Sequence, residues 1–247
     1  MSRLLRAELT KLTTTRMLMG FALGLVGLMV VTGVLPIALS SAAPEIPLDQ
    51  PELQRQLLAS GSTAGTFALL LGIVSMAGEG RHGTLTPTFL ATPRRPRVVA
   101  AKAVVMTAVG MMFGVVSATL GVGLFIGGLQ VVDVPLVVPT DVIVRIVWGT
   151  VVYAALSGAF GVGLGAVIPN QITAIVTAIV VLVVADPLLV QFIPAVGRWL
   201  PGGAAQSLVA SPTLRALPQY AGGLLYAAYA ALTTVVGAAL VARRDVA

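Results

Sequence analysis

The chain of 247 residues has no cysteine, a single histidine and very little charge. Lys, Arg, Asp and Glu make up only 10% of it, where soluble domains run at about 25%. Without cysteine there are no disulfides, thiolate nucleophiles or thiolate metal sites, and the redox compartment is left open. His82 alone cannot build a His-rich metal centre. A P-loop needs a lysine that follows Gly and precedes Ser or Thr. The two lysines are Lys11, after Thr10, and Lys102, after Ala101, so the chain cannot bind ATP in that way. There is no HExxH pattern, and Ser157-Gly158 lacks the preceding glycine of an intramembrane serine protease site. No nucleophile and base can be paired, so neither an enzyme nor a bound cofactor or metal is expected.

Apolar residues fill that space, at 57% of the chain with a mean hydropathy of +0.99. The charges are clustered, leaving uncharged intervals longer than the roughly 20 residues that span a bilayer. One interval, Ile146–Ala185, is interrupted by Pro169-Asn170-Gln171 and must hold two helices. Six spans result, at about Met17–Leu39, Thr63–Ala77, Val98–Leu129, Val142–Ile168, Ile172–Ile193 and Leu217–Val241. The expected fold is an all-α polytopic membrane protein with a single transmembrane domain over residues 1–247. Ser41-Ala42-Ala43 resembles a signal-peptidase site, but the preceding apolar run is longer than a signal h-region, so the first span is expected to be retained.

Six spans put both termini on one side. The arm with Arg3, Arg6, Lys11 and Arg16, the loop with Arg81, Arg94, Arg95, Arg97 and Lys102, and the tail with Arg243 and Arg244 carry 11 basic residues. The other side has four, Arg55, Arg145, Arg198 and Arg215, together with most of the acids. The positive-inside rule makes the first side cytoplasmic. That also accounts for the net charge of +6 without nucleic acid. In the arm, residues 1–16, Leu5, Leu9 and Leu12 recur at i, i+4 and i+7, which predicts an amphipathic helix in the headgroup layer. Five glycine pairs at i, i+4, among them Gly110/Gly114 and Gly161/Gly165, predict close helix packing.

Asp186 is the one acid inside a predicted span, in its outer third. Asp186-Pro187 reads as the cap and first turn of a short half-helix, Pro187–Ile193. The other reading is a substrate or proton site, as in an ion-coupled secondary transporter.

The segment 78–97 runs Gly-Glu-Gly-Arg-His-Gly-Thr-Leu-Thr-Pro-Thr-Phe-Leu-Ala-Thr-Pro-Arg-Arg-Pro-Arg. Leu85, Phe89 and Leu90 form an apolar patch between basic flanks, which suits a docking element for a soluble partner. Glu79, Gly83-Thr84, Leu90-Ala91-Thr92-Pro93, the cluster Arg94, Arg95 and Arg97, and Lys102 at the head of the next span resemble the ABC-2 type permeases, the membrane subunits of ATP-binding-cassette exporters. So do Ala7-Glu8-Leu9-Thr10-Lys11-Leu12 with Arg16, and Leu200-Pro201-Gly202-Gly203-Ala204-Ala205.

The resemblance spans the whole chain and implies three devices. The arm bearing Glu8, Lys11 and Arg16 would be an interfacial helix. Residues 78–97 would be a cytoplasmic coupling helix, with Glu79, Gly83, Thr84, Leu85, Phe89, Arg94 and Arg97 acting on the ATPase. Residues 194–219 would be an external re-entrant hairpin. It further implies a separate P-loop ATPase subunit that holds the ATP, a second permease copy or relative, a bacterial plasma (inner) membrane and outward movement of a small amphiphilic or lipid-like compound, of the drug or antibiotic class. An ion-coupled carrier using Asp186 and a non-transporting membrane scaffold are the rivals.

Overall fold

The computed structural model describes residues 2–40, 47–81, 95–211 and 216–243. Every regular element among them is helical. A short helix α1, Ser2–Thr14, precedes the first long one. Six helices are long and apolar enough to cross a membrane: α2 (Met17–Ser40), α3 (Pro51–Gly78), α4 (Arg95–Val131), α5 (Thr140–Val167), α6 (Gln171–Phe192) and α9 (Gln219–Arg243). Two short helices, α7 (Pro194–Gly197) and α8 (Pro201–Leu208), lie between the last two. Helices satisfy their own backbone groups, which is why valine-rich runs that would suit strands in water are helical here. Their outer faces carry exposed Leu23, Val31, Leu224 and Val235, as expected of a multi-pass membrane protein.

The spans match those read from the sequence to within a few residues, except the second. It starts at Pro51, not Thr63, and passes through a tighter turn at Ser60–Ser62 without stopping. Pro51 and Glu52 open it with a residue that needs no amide partner and a charge that suits the helix dipole. Gln54 is fully buried. Its amide donates to the carbonyls of Leu48 and Pro135, both at 2.9 Å, and its oxygen accepts from Val137 N at 3.0 Å. Three bonds explain how a polar residue can sit inside this apolar end.

Helix α5 is the hub. A methyl group on Gly158 would collide with the Met106 carbonyl of α4, and one on Gly161 with the Leu69 carbonyl of α3. On another face, a Cβ at Gly163 would lie 2.6 Å from Thr234 N of α9. Glycines on three sides therefore let three neighbours approach to backbone contact. Of the predicted pairs, Gly110/Gly114 and Gly161/Gly165 serve such contacts, whereas Gly123 and Gly127 face open space. The turn into α6 is closed by Asn170, whose side chain accepts from Ile172 N and Thr173 N at 3.0 and 3.1 Å.

Leu12, Met76, Val99, Ala166 and Val241 belong to one buried cluster. The arm, the ends of α3, α5 and α9 and the start of α4 thus meet at one end of the bundle. Ile37, Leu48, Leu57, Leu129, Val138 and Ile146 form another cluster at the opposite end.

Helix α4 is 37 residues long, about 55 Å, and so overruns a hydrocarbon core of about 30 Å. Its first turns carry Arg95, Arg97 and Lys102.

Candidate functional site

The two lysines of the chain both bond to Glu8. Lys102 Nζ lies 2.5 Å from Glu8 Oε2, and Lys11 Nζ 3.1 Å from Oε1. Lys11 is half exposed, but Glu8 and Lys102 are buried, at 4% and 2%. A buried pair held this closely ties the arm to the head of α4 across 94 positions of sequence. The inward face of α1 is consequently Leu5, Glu8 and Leu12, with Leu12 in the core, while Leu9 is 46% exposed. The arm packs on the bundle through an ion pair between Leu5 and Leu12, while Leu9 faces outward. Arg16 is exposed at the start of α2.

Of the residues assigned to coupling, Arg97 is exposed in the first turn of α4, two residues after Arg95. Gly83, Thr84, Leu85, Phe89 and Arg94 lie outside the described residues, as does the side chain of Glu79. The described chain breaks off after the helix that carries α3 on to Arg81 and resumes with α4, which bears Lys102 of the Glu8–Lys102 pair.

Asp186 does not cap a half-helix of its own. Its backbone is helical, with φ −64° and ψ −49°, and α6 runs through it to Phe192. Pro187 is accommodated by a π-helical stretch, Ile179–Ala185, which widens the turn where the ring would otherwise strike the Val183 carbonyl. Pro36 in α2 follows a similar stretch, Val30–Val34. The Asp186 carboxylate caps a different helix: Oδ2 accepts from Gly202 N at 2.5 Å, in the first turn of α8. Asp186 is 3% exposed and its Oδ1 has no partner.

Further bonds fasten this helix to the spans. Ser207 Oγ donates to the Gly203 carbonyl and accepts from Leu217 N, at 2.8 and 3.1 Å. Gln219 Nε2 donates to the carbonyls of Arg145 and Leu208, and Tyr229 to that of Trp199, each at 2.8 Å. Gly149 has no side chain to hold the Leu208 carbonyl off α5.

Between α2, α3, α6 and α8 lies a cleft of about 660 Å³. Both π-helical stretches contribute to its walls, through Thr32 on one side and Leu182 and Val183 on the other. The lining is apolar with interspersed hydroxyls and amides, such as Ser60, Thr63, Gln56 and Gln206, and none of the lining residues is charged.

A small side chamber of about 30 Å³ adjoins it, sharing Thr66, Tyr153 and Gly202 and closed by Phe160 and Tyr226. There the Tyr226 hydroxyl is 2.9 Å from Ser157 Oγ, and the Tyr153 and Tyr226 rings meet edge to face at 5.1 Å. Sequence reading found Asp186 but neither the cleft nor the tyrosines. Those positions carry no local signal, since they converge from four helices. No protein-family model matches this chain, and no curated protein matches it.

Proposed function

We propose that the chain is the membrane permease subunit of an ATP-driven exporter of the ABC-2 type. In this reading it lies in the plasma membrane with both termini cytoplasmic, pairs with a second permease, and moves a small amphiphilic or lipid-like compound outward. A separate P-loop ATPase supplies the energy. The observation that carries the reading is the buried Glu8–Lys102 pair, which joins the arm to α4, the helix that follows residues 82–94 in sequence. It makes the arm and the base of α4 one body, so that a push delivered to the loop by an ATPase reaches the arm and the span together. Energy coupling needs a rigid element that can move between two arrangements, and a pinned helix–helix junction is one.

The cleft supports the same reading from the other end of the bundle. It is open, apolar and fringed with neutral hydrogen-bonding groups, which suits a compound with a greasy body. The positive-inside rule puts the basic end, with the docking loop, in the cytoplasm and the cleft toward the exterior. One observation favours an ion-coupled carrier, the buried and half-satisfied Asp186. The two readings separate on purification of the tagged chain from its own membranes in mild detergent. A P-loop ATPase should be recovered in near-equal amount and be lost when Leu85 and Phe89 are both changed to Asp. A folded preparation that carries no ATPase would overturn the permease reading in favour of the carrier.

A further inference from the structure

Gln54 and Gln56 stand two residues apart on α3 and do different things. Gln54 is buried and spends its amide on three backbone bonds, whereas Gln56 lines the cleft and its side chain has no hydrogen-bond partner among the described residues. The same holds for Ser60, one turn further along α3, and for Gln206 on α8. Thr63 donates its hydroxyl proton to the Ser60 carbonyl at 2.6 Å and keeps its oxygen as an acceptor. Gln56, Ser60, Thr63 and Thr66 all line the cleft and recur at i, i+4, i+7 and i+10. They form one polar stripe along α3, about 15 Å long at 1.5 Å per residue. The walls from α2 and α6 differ in kind, with Leu28 and Pro36 on one and Leu182, Val183 and Pro187 on the other. Their one hydroxyl among the described lining residues, that of Thr32, is already bonded to the Leu28 carbonyl at 2.9 Å. Neutral donors and acceptors without protein partners on a membrane-crossing helix are costly unless something bonds to them. Water serves while the cleft is empty, and a ligand that displaces the water has to replace its bonds.

We infer that the cleft binds an uncharged, elongated amphiphile that carries several hydroxyls along one edge, laid with that edge on the α3 stripe and its apolar side against α2 and α6. The cleft, at about 660 Å³, has the size of a small-molecule site. None of the described residues that line it is charged, so a charged head would lose its hydration and gain no counter-ion. A wholly apolar ligand would displace the water and leave Gln56, Ser60 and Gln206 unpaired, so the site selects for the hydroxyls. That this ligand is cargo rests on the permease reading; that it binds does not.

The test uses the purified full chain in nanodiscs, with no ATPase present, and tritiated cholyl alcohol, a rigid neutral tetrol with its ring hydroxyls on one face. Binding is read by scintillation proximity against empty nanodiscs, with every ligand expressed as its mole fraction in the bilayer. Saturable binding is expected. On the unaltered protein, two competitors should displace the tetrol about tenfold or more weakly than unlabelled tetrol does. One is lithocholyl alcohol, the same skeleton with two hydroxyls fewer on that face; the other is cholate, the same face with a carboxylate charge. The double variant Gln56→Leu/Gln206→Leu should weaken the tetrol about tenfold or more and bring it level with the diol. Equal displacement by the diol or by cholate, or no saturable binding of the tetrol, would overturn the inference. So would unchanged affinity in a double variant that keeps its helical circular dichroism. If the tetrol binds as expected but no ATPase accompanies the chain from its membranes, the permease reading falls and the site stands. If an ATPase does accompany it but tetrol and diol bind alike, the site falls and the permease reading stands.

Discussion

Glu8, Lys11 and Lys102 show how little charge this protein uses and how specifically it uses it. Removing one partner of a buried pair strips the other charge of its closest counter-ion while keeping it out of water, at a cost of up to about 3–5 kcal/mol, whereas removing both costs much less. Glu8→Gln and Lys102→Met should each lower the thermal unfolding temperature of the chain in nanodiscs. The double variant should be more stable than the sum of the two losses implies, with a coupling of about 0.5–3 kcal/mol. Lys11 is 45% exposed and loses little when Glu8 is changed, because water replaces the bond. Strictly additive losses would mean that the contact does not hold α1 to α4. The pairing could not be read from the sequence: 94 residues separate its members, and the leucine spacing of the arm points only to an amphipathic helix in the headgroup layer.

At the level of elements, the spans were legible because crossing a membrane demands length and apolarity, both of which are local properties. The first turns of α3 were not, since Pro51–Ala59 contains Glu52, Gln54, Arg55 and Gln56 and looks like solvent-exposed loop. What makes it helix is tertiary, the three bonds of Gln54 to the segments around Leu48 and Pro135. Asp186-Pro187 was misread for a related reason. The motif does signal a cap, but the amide it satisfies lies 16 residues further on, in α8, and a π-helical stretch absorbs the proline.

Glycine pairs were legible only as a class. Which of them matter depends on what stands opposite. Gly161→Ala should therefore destabilise the bundle by about 1–3 kcal/mol, because its methyl meets the Leu69 backbone. Gly123→Ala, facing open space, should leave the unfolding temperature unchanged or slightly higher. Thermal unfolding of the two variants side by side checks this, and equal losses would contradict α5 as the packing hub.

For the whole molecule, the account rests on a division between two ends. One end gathers the arm, the last turns of α3, α5 and α9 and the start of α4; the other holds the cleft, α8 and Asp186. A molecule so divided suits alternating access, with a motor at the basic end and cargo at the other, linked through helices that pack backbone to backbone. The resemblance to ABC-2 permeases lies in the loop and in the order of the motifs, while the cleft and the buried Asp186 contact to α8 come from the fold alone.

The most direct measurement is in-cell photo-crosslinking from position 89. A photoreactive phenylalanine analogue replaces Phe89, and in a control it replaces Val131, which is 86% exposed at the far end of α4. The account predicts that illumination yields an adduct with a P-loop ATPase from position 89 and none from position 131. The same adduct pattern from both positions, or no ATPase adduct from position 89 in a chain that inserts normally, would contradict it.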